Sequence, residues 1–133
     1  YSDQKIRKEH RYIHKYILNN SPVIRKIFSL NLSQSLVMDG DRIITIEDIF
    51  GTNNMIKKFK TINKNFKNLI FVKSIKKDQI SEIDFPIIGN ETLDLLIKYN
   101  FKAICLLNKN VIVANKSLFI KNINKSKLSL IVI

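Results

Sequence analysis

The apolar positions of this chain recur with two periods, and the periods predict its elements. From Lys5 to Leu18, Ile6, Ile13 and Ile17 share one helical face, with Tyr12 and Tyr16 beside it. Ser2 or Asp3 is placed to cap this helix, and Asn19-Asn20-Ser21-Pro22 is expected to end it. Pro22 then suits the first turn of a short second helix through Phe28. Two apolar runs, Asn31 to Met38 and Asp41 to Ile46, meet at Asp39-Gly40, which is a hairpin signal. Gly51 supplies a turn and Thr52 a cap for a helix from Asn53 to about Lys64, with Met55, Ile56, Phe59 and Ile62 on its apolar side.

Asn68 to Ser74 reads as a buried strand ending in Lys73. Leu93 to Tyr99 is helical, with Asn90 as its N-cap and Glu91 in its first turn. Strand Ala103 to Leu107, turn Asn108-Lys109-Asn110, strand Val111 to Ala114, a short helix near Ser117 to Ile123 and a final strand from Leu128 complete the pattern. Helices alternating with strands define an α/β fold: a mixed β-sheet with flanking helices in a single domain, preceded by an N-terminal helix. On this reading 1–28 is an N-terminal helical segment and 29–133 the main body.

Composition narrows the picture. A chain of 133 residues holds one real core, and 45% apolar content suits an ordinary globular domain. No apolar run approaches the roughly 20 residues of a membrane-spanning helix. The chain starts at Tyr1 rather than Met, so a fragment of a larger two-domain protein is expected, with a partner domain upstream. The net charge of +12 raises nucleic acid as a partner. The cations are nearly all scattered lysines, however, and the arginines are only Arg7, Arg11, Arg25 and Arg42. Arginine is the residue suited to bidentate base and phosphate contacts, and no stretch alternates basic and aromatic residues, so specific nucleic-acid reading is disfavoured. Cys105, the single cysteine, lies in an apolar run and reads as a packed thiol in a reduced, cytoplasmic setting.

Candidate chemistry centres on Ile83-Asp84-Phe85-Pro86. A carboxylate between apolar residues is costly to bury without a partner, and Pro86 takes the chain out of a sheet. The helix N-terminus at Asn90 would then aim its free N–H groups back towards Asp84. Asp84 either carries chemistry at a strand end or only satisfies those groups, and the residues alone leave both open. Glu47-Asp48 followed by Gly51-Thr52 repeats the arrangement, so two helix N-termini are expected to converge on one phosphate group. Lys73 either reaches solvent or neutralises that phosphate. His10 and His14 are four apart and able to face one metal, but no further ligand completes the pattern, and a solvated face is the favoured reading.

Gln34-Ser35-Leu36-Val37, Glu47, Gly51-Thr52 with Met55, Lys73, Gln79, and Asp84-Phe85-Pro86 with Gly89 and Thr92 occur in this order. From about Ser29 onward the set resembles the C-terminal domain of the LpxI-type UDP-2,3-diacylglucosamine pyrophosphatases of lipid A biosynthesis. The resemblance implies a Mg²⁺- or Mn²⁺-dependent hydrolase. Its substrate would be a lipid-linked nucleotide sugar, and its setting cytoplasmic, peripheral on the inner face of the inner membrane. The family's N-terminal domain would be a partner, with lipid and sugar held between the two; a homodimer is compatible. The family's essential aspartate falls on Asp84, with Glu47 as the second carboxylate on the metal. Gln34, Gly51, Thr52, Asn53, Lys73, Gln79 and Thr92 fall at substrate-binding positions. Hard carboxylates are magnesium-type ligands, and water is the expected nucleophile because no Ser–His or Cys–His pair is near.

This chain departs from the family where Glu-Gly-Thr-Asp becomes Phe50-Gly51-Thr52-Asn53 and Asp-Ile-Gly-Gln becomes Asn31-Leu32-Ser33-Gln34. Ile80 and Glu82 stand where an Asp and an Arg are usual. The alternative is therefore a catalytically inactive relative that binds a nucleotide sugar or phospholipid, or acts as an interaction domain.

Overall fold

The computed structural model describes residues 4–30, 34–60, 66–74, 90–107 and 116–133. Five strands form one sheet in the order β2-β1-β3-β4-β5: β1 (Ser35–Asp39), β2 (Arg42–Ile46), β3 (Leu69–Ser74), β4 (Ala103–Leu107) and β5 (Ser129–Val132). β1 runs antiparallel to both β2 and β3, whereas β3, β4 and β5 are mutually parallel. The β1–β2 turn is Gly40-Asp41, and Gly40 takes φ 55, the sign that a tight hairpin asks of its first central residue. A register shift between Val37 and Met38 marks a bulge in this hairpin.

Alternation along the strands sends apolar side chains to both faces, so both need cover. On one face Leu36, Met38, Ile70, Val72, Ala103, Cys105 and Ile131 pack against Ile13, Ile17, Ile24 and Phe28 of α1 (Arg11–Ser29). On the other, Val37, Phe71, Ile104, Leu106, Leu130 and Val132 meet Met55 and Ile56 of α2 (Thr52–Lys57), Leu93 and Leu96 of α3 (Asn90–Lys98) and Ile123 of α4 (Lys116–Lys125). The fold is thus a three-layer α/β domain with a mixed sheet in the middle. Among the described residues no helix is long and apolar enough to cross a membrane.

The first helix differs from expectation. Lys8–His10 forms a short 3₁₀ turn, and α1 then runs unbroken to Ser29 with Pro22 inside it. Proline removes one intrahelical hydrogen bond, but Ile13, Ile17, Ile24 and Phe28 lie on a single buried stripe that spans it. Apolar packing outweighs the one lost bond. Asn20 strengthens this stretch: its amide donates to the Tyr16 carbonyl (2.9 Å) and to Asp41 Oδ1 in the hairpin turn (2.7 Å). Lys5, expected to begin the helix, instead forms an antiparallel bridge to Leu130 through two backbone bonds of 2.9 and 2.8 Å, covering the outer edge of β5.

The expected helix after Gly51 also differs, because α2 tightens into a 3₁₀ turn over Lys58–Lys60. There Phe59 packs edge-on against Phe66 and Phe101, with ring centroids 5.6 and 5.7 Å apart. α3 ends in a left-handed residue, Asn100 (φ 60), with Asn100 N–H donating to Ile97 and Phe101 N–H to Leu96, the paired bonds of a Schellman stop. The expected strand Val111 to Ala114, the turn Asn108-Lys109-Asn110, the caps Ser2 and Asp3, Ile62 and the stretch to Lys64 lie outside the described residues.

His10 is not on a solvated face. It is only 6% exposed, and its Nδ1 lies 2.7 Å from Ser129 Oγ. Burial holds its pKa below the ordinary 6.5, reinforced by Lys102 and Arg7 and opposed by Glu9. Cys105 is fully buried, and burial raises its thiol to about 12, as its apolar run implies.

Two outcomes are expected. Ile24→Ala, beyond Pro22 on the buried stripe, costs about 2–5 kcal/mol in urea unfolding; a loss below about 0.5 kcal/mol contradicts a continuous α1. The unfolded chain protonates His10 at its ordinary pKa before the folded state does, so stability falls with pH through the window just below 6.5 and levels off below the folded value. Unfolding midpoints compared across that window show a smaller fall in His10→Gln.

Candidate functional site

The residues marked by the sequence gather at the carboxyl end of β3, where β1 begins and β2 ends. Lys73 sits opposite Ser35 in the β1–β3 ladder. The Ser74 N–H donates to the Gln34 carbonyl (2.9 Å), and the Glu47 N–H to the Ser35 carbonyl (3.0 Å). Three segments are therefore stitched together at one sheet edge by backbone bonds alone.

Between β2 and α2 the chain turns through Asp48-Ile49-Phe50-Gly51. The Asp48 side chain organises the turn: its Oδ1 accepts the Phe50 N–H (2.9 Å), and its carbonyl accepts the Gly51 N–H (3.1 Å). The Phe50 N–H holds the Asp48 carboxyl below its ordinary value, and Lys58, 3.4 Å away, adds to the effect. Gly51 takes φ 89; a Cβ there would meet nothing within 4 Å, so backbone conformation and not space demands glycine. Ile49 and Phe50 stand at the tip, 95% and 67% exposed.

Thr52 does not cap its own helix. Gly51 holds the cap position, and the Thr52 hydroxyl donates to Glu47 Oε1 instead. The residue before the helix has a hydrogen but no side chain to offer, and the short turn returns Thr52 to the acid five residues earlier. Asn53 reaches across to α3, where its Oδ1 accepts the hydroxyl of buried Thr92 at 2.5 Å. Lys57 and Glu91, 3.8 Å apart, link the same two helices at the surface. The starts of α2 and α3 therefore lie side by side.

Lys73 is the one strongly desolvated cation of this group. Burial lowers its pKa below the ordinary 10.5, and the negative charge of Glu47 works the other way. A partly desolvated ammonium near a carboxylate that is already engaged by Thr52 is suited to a further anion, such as a phosphate oxygen. Glu47 and the Thr52 hydroxyl are hard oxygen donors of the kind that magnesium or manganese takes. Among the described residues there is no group of three or more His, Cys, Asp or Glu placed to hold a metal. Neither do His10 and His14 form one. Asp84 and Gln79 lie outside the described residues.

Glu47, Gly51, Thr52, Asn53, Lys73, Thr92 and the Gln34 backbone thus belong to one neighbourhood. Sequence reasoning missed the part of Asp48, although an Asp two residues before the Phe50 N–H is itself a turn signal. It also missed the pairing of His10 with Ser129, which nothing local could reveal across 119 intervening steps of chain.

With a polar group at the carboxyl end of β3, beside two helix starts, the chain is an α/β domain of mixed sheet. The chain belongs to the LpxI family: a sequence-family model described as the LpxI C-terminal domain matches residues 4–131. The match takes in α1 as well as the sheet and its other helices. Membership points to lipid A biosynthesis. No curated protein matches the chain.

Replacing Glu47 by Gln removes the charge that raises the Lys73 pKa, so that pKa drops further. Carbon-13 dimethylation of lysine amines and NMR titration read this directly; an unchanged Lys73 contradicts the pairing.

Proposed function

We propose that this domain contributes to the metal-dependent hydrolysis of UDP-2,3-diacylglucosamine into UMP and 2,3-diacylglucosamine 1-phosphate. The observation that carries the reading is the convergence of Glu47, Thr52 and Lys73 at the carboxyl end of β3 in a chain of the LpxI family. Asp84 and Glu47 would hold the divalent cation, which when bound supplies charge neutralisation and a more acidic water. Lys73 would bind a phosphate oxygen through a desolvated ammonium that loses little further hydration on contact. Thr52, fixed by Glu47, and Thr92, fixed by Asn53, would orient the phosphosugar at the two helix starts. Gln34, Gly51 and Gln79 complete the proposed binding positions. The N-terminal domain of the family and the inner face of the membrane, where the lipid resides, are the proposed surroundings.

A second reading, a relative that binds the lipid-linked nucleotide sugar without cleaving it, is favoured by Phe50 and Asn53. Phe50 projects an apolar ring into solvent where the resemblance calls for an acid, and the Asn53 amide oxygen is committed to Thr92. Neither offers a charge.

UMP release from UDP-2,3-diacylglucosamine by the full-length protein with Mg²⁺ or Mn²⁺ separates the two. Metal-dependent turnover is expected, falling roughly a hundredfold or more in Asp84→Asn. Absent turnover with substrate binding retained establishes the non-catalytic reading.

A further inference from the structure

At the opposite end of the parallel strands from Glu47 and Lys73 lies a cleft of about 570 Å³. It is bounded by the end of α3, the approach to β4, and the link from α4 to β5. Its floor is apolar, made by Phe101 and Leu128, which are almost fully buried, with the half-exposed Ile97 at the side. Its cations are Lys102 before β4 and Lys125 and Lys127 around the start of β5; among the described residues Glu9 is the one acid that lines it.

His10 forms part of the wall. Its ring is buried and anchored through Nδ1 to Ser129 Oγ, which also accepts the Arg7 N–H at 2.9 Å. Among the described residues no hydrogen bond reaches the other ring nitrogen, Nε2, which is open to solvent at the cleft wall. The serine hydroxyl is able to donate to a neutral ring or to accept from a charged one, so the anchor survives a change in protonation. What opposes the charged ring is burial together with Lys102 and Arg7. Among the described residues every charged group around the ring except Glu9 is positive, and Arg7 itself is engaged by the Ser126 carbonyl.

Lysines near helix ends commonly complement the negative ends of helix dipoles, and Lys125 serves α4 in this way. That role needs neither Lys102 nor a buried histidine with a vacant nitrogen, and it does not need an apolar floor. Three lysines, an imidazole donor and an apolar floor in one cleft match a small anion carrying an apolar body.

We propose that this cleft binds a phosphate monoester with an apolar substituent, the phosphate facing His10 Nε2 and the lysines and the substituent lying on Phe101, Leu128 and Ile97. An anion there offsets the repulsion of Lys102 and Arg7 and lets His10 take up a proton. The site is independent of the Glu47–Lys73 edge and of the reaction proposed for it.

Phenyl phosphate and inorganic phosphate are the probes, added to the full-length protein with its histidine ring carbons labelled for NMR. His14, the second histidine, is the internal reference. Phenyl phosphate is expected to raise the His10 pKa by about one unit, leaving His14 in place. The Lys125→Gln/Lys127→Gln variant, whose changes are at exposed positions and leave the fold intact, is expected to weaken phenyl phosphate at least about tenfold. A His10 titration indifferent to phenyl phosphate overturns the proposal. So does a shift that survives the double substitution undiminished, or one that inorganic phosphate reproduces at the same concentration.

Discussion

A sheet that is apolar on both faces cannot stand until both are covered, and every other arrangement in this domain follows from that demand. Each strand from β1 to β5 alternates its side chains between two cores, so cover has to come from two directions. The crossovers supply one layer, since parallel β3, β4 and β5 require helices between them. The other layer has no crossover to provide it. Among the described helices α1 supplies it, which is why the helix is long and why a proline in its middle is tolerated. At roughly 25 cal/mol per Å² of apolar area buried, four large side chains on one stripe outweigh one missing backbone hydrogen bond.

Much of this was legible in the sequence, and the failures are instructive. The hairpin at Asp39-Gly40, the buried runs of β3 and β4 and the sequestered Cys105 were readable because each signal is local: a turn residue, a strand-length apolar stretch, a thiol among aliphatics. Pro22 misled because its local cost is real, while the burial that overrides it comes from strands far along the chain. Thr52 misled for a related reason. Its hydroxyl is chemically able to cap α2, but Glu47 competes for it, and only the path of the turn decides between them. The buried state of His10 had no local sign at all, because Ser129, its partner, lies near the other end of the sequence.

Within the candidate site, order was readable and pairing was not. The sequence placed Glu47, Thr52, Asn53, Lys73 and Thr92 along the chain and suggested two neighbouring helix starts. The structure adds that Asn53 and Thr92 bind each other, and that Glu47 accepts the Thr52 hydroxyl while its charge acts on a partly desolvated lysine. Such a site stores its polarity in pairs. An incoming phosphorylated ligand would have to compete with or extend these contacts, and a side chain's identity matters less there than what already holds it.

The bridge between Lys5 and Leu130 has a bearing on how the chain is made. During synthesis α1, carrying Ile13, Ile17, Ile24 and Phe28, emerges before β4 and β5, on which it rests in part. The first helix must therefore wait with part of its greasy stripe uncovered while the strands that follow it are translated. Contacts that join distant parts of a sequence form slowly, and exposed apolar surface invites association meanwhile. Between the appearance of α1 and that of β5 the stripe has no strand to lie on, and the edge that Lys5 covers does not yet exist.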